Sequence, residues 1–163
     1  MTHAATHFCA LGAIGWDHPQ WVGPFYPEDL PEEWRLAYYN TQFDCVFLPY
    51  PLWAHAPLPT VASWAEETLE RFRFLLEHPP RAPDQGDYER IAALGERAVL
   101  LTAETRDFLL WFDAGTDLKG LAARLQAKAK DALAGNHGLY LLSLDADLAS
   151  LVQVRTLLEV LGY

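Results

Sequence analysis

The sequence predicts an α/β fold, a single domain over residues 1–163, built on a mostly parallel sheet of about five or six strands. Short apolar runs alternate along most of the chain with segments whose apolar residues recur at helical spacing. A long loop dense in glycine, proline and aromatic residues separates the first apolar run from the first helical segment. The composition, 51% hydrophobic and 21% charged, suits a globular domain of this kind.

The first predicted strand, residues 8–14, runs into a loop that is rich in aromatic side chains. This loop contains Trp16, Asp17, His18, Trp21, Phe25 and Tyr26. Ligands of α/β folds bind at loops that follow the carboxyl ends of strands, and aromatic rings stack on sugars or bases. The sequence therefore predicts a ligand site in this loop. The alternative is that the same rings pack over one end of the fold.

The first two helices are placed by their starts and by aromatic residues at helical spacing. Pro31 suits a first helical turn, where its missing N–H is not needed, and Thr60 can cap the second helix. Trp34 and Trp64 lie on the apolar faces of these helices, so both are predicted to be core residues.

The second and third strands are predicted at residues 44–48 and 72–76. The loop after the second strand contributes Tyr50, Trp53 and His55, and His78 follows the third strand. Because the carboxyl ends of parallel strands lie at one edge of a sheet, these side chains can converge with those of the first loop. A short helix is predicted over residues 87–95.

Two apolar runs, residues 98–102 and 108–112, follow each other closely. A parallel crossover needs about a dozen or more residues, so these runs cannot be consecutive parallel strands. An antiparallel hairpin is favoured, because Gly115 and Thr116 then separate the second run from the next helix. The alternative is a strand followed by a helix that Thr102 caps.

The last part of the chain predicts a helix, a strand and a final helix. Leucine and alanine form one stripe over residues 117–134, and Gly135 with Asn136 ends this helix. The strand at residues 139–144 and the helix at residues 146–161 flank Asp145.

A spaced set of glycine, proline and aromatic residues runs through the first loop and helix. It reads Gly12-x-x-Gly15-Trp16, Trp21-x-Gly23-x-Phe25-Tyr26-Pro27, Leu30-Pro31, Trp34, Tyr38-Tyr39 and Phe43. This set resembles the opening of the DUF72 (YecE-like) family, and the resemblance extends over residues 12–74. It implies a TIM-barrel-like (β/α) fold and no particular reaction. Eight strand–helix units need roughly 200–250 residues, so 163 residues imply a truncated or incomplete barrel.

Two departures from the family pattern bear on chemistry. Val46-Phe47-Leu48-Pro49-Tyr50 stands where family members show a Val-Glu-Ile-Asn-like run, and Glu77-His78-Pro79 replaces a Lys-x-Pro-like segment. The resemblance would place three polar groups in the pocket that this sequence lacks. It therefore implies altered or lost chemistry if the family is enzymatic.

Charge and composition limit the partners and the compartment. A net charge of −10, from 22 acidic and 12 basic residues, disfavours nucleic-acid binding. No apolar stretch approaches the ~18 residues of a membrane span, and no signal peptide is visible, so the sequence predicts a cytoplasmic protein. The two cysteines, Cys9 and Cys45, are predicted to be free thiols in a reducing compartment.

Two functional hypotheses remain open from the sequence. The first is a small-molecule-binding protein, with or without catalysis, whose ligand contacts Trp16, Asp17, His18, Trp21, Phe25, Tyr26, Tyr50 and Trp53. The second is a metal-assisted hydrolase or isomerase that uses His18, His55, His78 and Asp145 as ligands or catalytic groups. Neither hypothesis identifies a cofactor.

An incomplete barrel also predicts assembly. A sheet of about five or six strands leaves free edges, which must be covered, blunted or paired with another chain. The apolar segment 98–112 is the candidate edge, so a homodimer with this segment at the interface is expected. The alternative is that the final helix covers it.

Overall fold

The computed structural model describes residues 9–163 as an α/β fold, which confirms the predicted class. In this part of the chain the strands are Cys9–Ile14 (β1), Cys45–Leu48 (β2), Arg73–Leu76 (β3), Ala98–Leu100 (β4), Leu109–Phe112 (β5) and Leu139–Ser143 (β6). The α-helices are Arg35–Gln42 (α1), Tyr50–Ala54 (α2), Leu58–Glu66 (α3), Gln85–Leu94 (α4), Ala103–Arg106 (α5), Leu118–Ala134 (α6) and Leu148–Leu161 (α7). The first residue of the predicted opening strand lies outside the described residues.

The strands form a parallel sheet in the order β4-β3-β2-β1-β6-β5. In register, β2 pairs with β3 from Cys45↔Arg73 to Leu48↔Leu76, and β1 pairs with β6 from Cys9↔Leu139 to Ala13↔Ser143. The order has two ends, β4 and β5, so the sheet is not closed. This arrangement confirms an incomplete fold of TIM-barrel type.

The described residues pack as two compact units. One consists of residues 14–102, and the other of residues 9–13 together with 103–163. The expectation of one domain stays a prediction.

The unit of residues 14–102 has a core dominated by aromatic rings. Trp21 is fully buried and stacks on Tyr39, with ring centroids 6.1 Å apart and planes 10° from parallel. Phe72 and Phe74 are also fully buried and meet edge to face at 4.8 Å. Burial of such rings contributes much of the hydrophobic stabilisation of a small domain.

The unit of residues 9–13 and 103–163 is built on two long helices with defined starts. The side chain of Asp117 accepts from the N–H of Gly120 at the start of α6, and Asp147 accepts from the N–H of Ser150 at the start of α7. Both are N-caps, which satisfy N–H groups that have no partner inside the helix. The buried stripe of α6 consists of Leu121, Leu125, Ala129 and Ala132.

Both predictions for residues 98–112 are wrong. The strand β4 pairs with β3 and β5 pairs with β6, so they do not form a hairpin. The second apolar run is a strand and not a helix, and the short helix α5 lies between the two strands. The crossover rule holds only for strands that are neighbours in a sheet, and these two are not neighbours.

The prediction that Trp34 is a core residue is also wrong. Its side chain is 61% exposed. Trp34 ends a three-residue 3₁₀ turn, Glu32–Trp34, that precedes α1. Since a 3₁₀ turn has three residues per turn, the apolar phase of the following α-helix does not extend back through it. The buried face of α1 is instead formed by Leu36, Tyr39 and Asn40.

Candidate functional site

An open cleft of about 420 Å³ lies at the carboxyl ends of β1 and β2. Its lining consists of Ile14, Gly15, Trp16, Asp17, His18, Leu48, Leu52 and Trp64. Ile14 and Leu48 are the last residues of their strands, so the cleft occupies the position where α/β folds bind ligands. Its volume lies within the roughly 300–1,000 Å³ that is usual for small-molecule sites.

A glycine at the end of β1 sets the path of the first loop. Gly15 has φ +67°, a left-handed conformation that residues with a Cβ rarely adopt. Its N–H donates to the carbonyl of Phe47 in β2 at 2.9 Å. The chain therefore turns sharply while still bound to the neighbouring strand, and the next three residues enter the cleft.

Two tryptophans form the aromatic wall of the cleft. The rings of Trp16 and Trp64 lie 5.2 Å apart at an interplanar angle of 85°. Trp64 also stacks on the buried ring of Phe74, with centroids 6.1 Å apart and planes 22° from parallel. Both tryptophans are half-buried, so each is held by the core and still contributes surface to the cleft.

An ion pair stands at the polar side of the cleft. Arg35 Nη1 donates to Asp17 Oδ1, and Arg35 is largely buried whereas 62% of the Asp17 side chain is exposed. The guanidinium also lies 5.7 Å from the centroid of the Tyr26 ring. This contact joins the first loop to the start of α1 and leaves Asp17 Oδ2 without a hydrogen-bond partner within residues 9–163.

Tyr26 holds the first loop through a hydrogen bond from its hydroxyl group. Its ring is fully buried, and its hydroxyl donates to the carbonyl of Trp16 at 2.5 Å. Burial and the nearby carboxylate of Asp17 raise the pKa of Tyr26 well above its usual range, against a smaller opposing effect of Arg35. The phenol therefore stays protonated and keeps donating to the Trp16 carbonyl.

The tautomer of His18 follows from one contact. His18 Nε2 lies 3.1 Å from the carbonyl oxygen of Gly15. A carbonyl can only accept, so Nε2 carries the proton and, in the neutral ring, Nδ1 is an acceptor. The imidazole ring also packs on Trp21, with centroids 4.3 Å apart. Nδ1 has no hydrogen-bond partner in the described part of the chain.

Several aromatic residues that the sequence suggests as ligand contacts lie in the core. Trp21, Tyr26 and Trp53 are fully buried, and none of them lines the cleft. Phe25 is half-buried and packs edge to face on Tyr38, with centroids 5.2 Å apart. For these residues the packing alternative describes the structure, whereas Trp16, Asp17 and His18 line the cleft.

Tyr50 belongs to a polar network that sequence reasoning missed. Its hydroxyl donates to Asp87 Oδ1 at 3.0 Å and accepts from Arg81 Nη2 at 2.7 Å. Arg81 Nη1 also donates to Asp87 Oδ2 at 2.9 Å. Asp84 and Asp87 form a capping box at the start of α4, so the Asp-x-x-Asp spacing was the available signal.

The electrostatics of Asp87 follow from these contacts. Burial by itself would raise the pKa of Asp87, but hydrogen bonds from Arg81, from the N–H of Asp84 and from Tyr50 outweigh it. The pKa is therefore lowered from its ordinary value, and Asp87 is an ionised structural carboxylate.

The proposed metal-binding and catalytic residues have other roles in the structure. His78 Nδ1 lies 2.8 Å from the carbonyl of Pro79, and His55 is the exposed C-cap residue of α2. Across residues 9–163, no group of three or more His, Cys, Asp and Glu side chains is placed to hold a metal ion. The metal-assisted alternative is therefore not favoured.

Asp145 accepts hydrogen bonds that join two loops within the unit of residues 9–13 and 103–163. Its carboxylate accepts from the N–H groups of Ala114 and Asp147 at 3.0 and 3.1 Å and from the hydroxyl of Ser143 at 3.2 Å. Burial acts to raise the pKa of Asp145, but these hydrogen bonds lower it below the ordinary value. A general acid needs a raised pKa, so the environment of Asp145 suits a structural role.

The remaining sequence expectations concern the cysteines and the membrane. Cys9 and Cys45 are free thiols, and burial raises the pKa of Cys9 to about 12. Such a thiol is protonated and unreactive at neutral pH. Within residues 9–163, no helix has the length and hydrophobicity needed to cross a bilayer.

The open parallel sheet and the cleft at its carboxyl edge define an α/β protein of TIM-barrel type with a candidate ligand site. The family model of DUF72, described as a protein of unknown function, matches residues 10–110, and the chain belongs to this family. It is similar to the crystal structure of a DUF72 family protein from Thermotoga maritima MSB8. The TM-score is 0.60 and the identity 12%, over 93% of this chain and 99% of that one, so this likeness shows the fold alone. No curated protein sequence matches the chain significantly.

Proposed function

We propose that this DUF72 protein binds a small molecule in the cleft at the carboxyl ends of β1 and β2. The observation that carries the proposal is that the tryptophans differ in their exposure. Trp16 and Trp64 keep part of their surface in the cleft, whereas Trp21 and Trp53 are fully buried. A half-exposed pair of indole rings beside a few polar groups is typical of a small-molecule site.

The rigidity of the cleft supports the proposal. Trp64 rests on Phe74, Trp16 is held through its carbonyl by Tyr26, and Asp17 is held by Arg35. Side chains that are already fixed lose little conformational freedom when a ligand binds, which favours affinity.

The proposal is limited to binding. Catalysis by an acid and a base uses two titratable groups beside the reacting bond whose surroundings push their pKa values apart. In the cleft, the carboxylate of Asp17 is paired with Arg35, and no hydrogen bond joins His18 to another titratable side chain among the described residues. The residues that line the cleft therefore favour recognition over proton transfer.

A thermal-shift screen against a metabolite library tests the proposal. At ten times its dissociation constant a ligand adds about 1.4 kcal/mol to the free energy of unfolding, which raises the Tm of a protein this size by roughly 3–6 °C. Each hit is then measured with Trp64→Ala and with Trp34→Ala, whose exposed ring is not part of the cleft lining. We expect the first variant to lose the shift and the second to keep it. A library with no hits, or hits equally strong in Trp64→Ala, would contradict the proposal.

A further inference from the structure

We propose that the ligand of the cleft is a neutral carbohydrate, with its ring against Trp16 and Trp64 and its hydroxyl groups donating to His18 and Asp17. This inference rests on the proposed function and names the class of ligand. Four features of the cleft carry it, namely its free hydrogen-bonding atoms, its charge, the angle between its aromatic walls and its aliphatic lining.

The cleft has free acceptors on His18 and Asp17, and it has free donors, since the indole N–H groups of Trp16 and Trp64 have no hydrogen-bond partner among the described residues. His18 Nε2–H is used by the carbonyl of Gly15, which leaves Nδ1 with its lone pair. Asp17 Oδ1 is used by Arg35, which leaves Oδ2. Neither Nδ1 nor Oδ2 has a partner among the described residues. A ligand that fits this set both donates and accepts hydrogen bonds, as the hydroxyl groups of a sugar do.

The charge around the cleft disfavours charged ligands of either sign. Asp17 and Arg35 neutralise each other, so a ligand ammonium group would gain little from Asp17 and would lie near the guanidinium. An anionic group could accept from the indole N–H groups, but it would also lie beside the free acceptors of His18 and Asp17 on a protein of net charge −10. An uncharged donor suits the site better than an amine, a carboxylate or a phosphate.

The geometry of the walls distinguishes a sugar from a flat base. The rings of Trp16 and Trp64 are 85° apart, so they cannot hold a planar ring between two parallel faces. A sugar ring is puckered and presents C–H groups on its faces and edges, which can contact two perpendicular walls. Ile14, Leu48 and Leu52 add aliphatic surface to the same cleft, and C–H groups bury favourably against it.

The test is a fluorescence and calorimetric titration of the full chain with five classes of probe. The probes are neutral mono- and disaccharides, nucleosides, amino sugars, sugar phosphates and aliphatic amines. We expect quenching or a shift of tryptophan emission with at least one neutral saccharide, and at least tenfold weaker binding of its amino and phosphate derivatives.

Variants locate the binding. His18→Phe keeps a ring on Trp21 but removes Nδ1 and the hydrogen bond from Nε2 to the Gly15 carbonyl. We expect affinity for the saccharide to fall at least tenfold, whereas His55→Phe changes nothing. Leu52 is 53% exposed, so Leu52→Arg fills the cleft without removing a core side chain and should abolish binding even if His18→Phe folds poorly. Circular dichroism confirms that each variant is folded.

The outcomes separate this inference from the proposed function. Binding only of nucleosides, amines, amino sugars or phosphates, lost in Leu52→Arg, would overturn the carbohydrate assignment and leave the cleft as a ligand site. Saccharide binding that Leu52→Arg and His18→Phe leave unchanged would also overturn it. No response to any class, together with an empty thermal-shift screen, would overturn both.

Discussion

His18 and Trp21 sit three residues apart in one loop and have opposite roles. Trp21 is fully buried and packs on Tyr39, whereas His18 uses one ring nitrogen to hold the loop and keeps the other free. Sequence reasoning identified the loop but could not separate these roles, because a loop has neither the helical nor the strand periodicity that indicates which side chains are buried. Trp64 was missed as a cleft residue, since helical spacing on α3 predicts only that it faces inward.

At the scale of single residues, Gly15→Ala tests the turn that directs the loop. A Cβ at this position would meet no atom within 4 Å, so the cost comes from φ +67° alone. We expect the free energy of unfolding to fall by about 1–2 kcal/mol in urea denaturation. Gly115→Ala is the control, because this glycine lacks a positive φ, and its effect should stay within about 0.5 kcal/mol. Equal effects of the two substitutions would contradict this account of the loop.

At the scale of elements, the helix α4 depends on the side chains that cap it. Asp84 accepts from the N–H of Asp87, and the Asp87 carboxylate accepts from the N–H of Asp84. We expect Asp84→Ala to lower the free energy of unfolding by about 1 kcal/mol. Asp29→Ala, an exposed carboxylate outside the helices, should change it by less than about 0.5 kcal/mol. If urea denaturation gave the same midpoint for both variants, the cap would not contribute.

Asp87 gives the same element a dependence on pH. Its pKa is lower in the folded state than in the unfolded chain, so it stabilises the fold above the unfolded value of roughly 3.9. That contribution is lost as the pH falls through the folded-state pKa. We expect Asp87→Asn to lower stability at neutral pH and to flatten the loss of stability between about pH 5 and pH 2. Asp29→Asn should follow the unmodified protein, and parallel curves for Asp87→Asn would rule out this role.

Helices and strands could be predicted where particular residues mark their ends. They could not be predicted where the structure depends on which strands pair with each other. Gly135 and Asn136 end the helix α6 as expected. The strand β5 was predicted but its pairing was wrong, because its apolar run shows no sign that its partner is β6, which lies later in the chain. Pairing between distant segments is a tertiary property that local spacing does not encode.

At the scale of the whole molecule, the sheet is open and the homodimer stays a prediction. The predicted interface segment 98–112 is not one edge, since its strands β4 and β5 are the two opposite ends of the order; in β5, Leu109 and Trp111 are half-buried. An edge strand leaves backbone N–H and C=O groups unpaired, and a second chain can cover them. We expect light scattering at micromolar concentration to give twice 18.4 kDa, and Trp111→Glu to reduce it to the monomer. A monomer that Trp111→Glu leaves unchanged would contradict the dimer.

The location of ligand binding is the central claim, and the indole N–H signals of the tryptophans in a ¹H–¹⁵N NMR spectrum test it most directly. The chain has six tryptophans, each assignable by its Trp→Phe variant. On addition of a hit from the thermal-shift screen, we expect the signals of Trp16 and Trp64 to move and those of Trp34 and Trp111 to stay. Shifts confined to Trp34 or Trp111, with Trp16 and Trp64 unchanged, would contradict a ligand site at the carboxyl ends of β1 and β2.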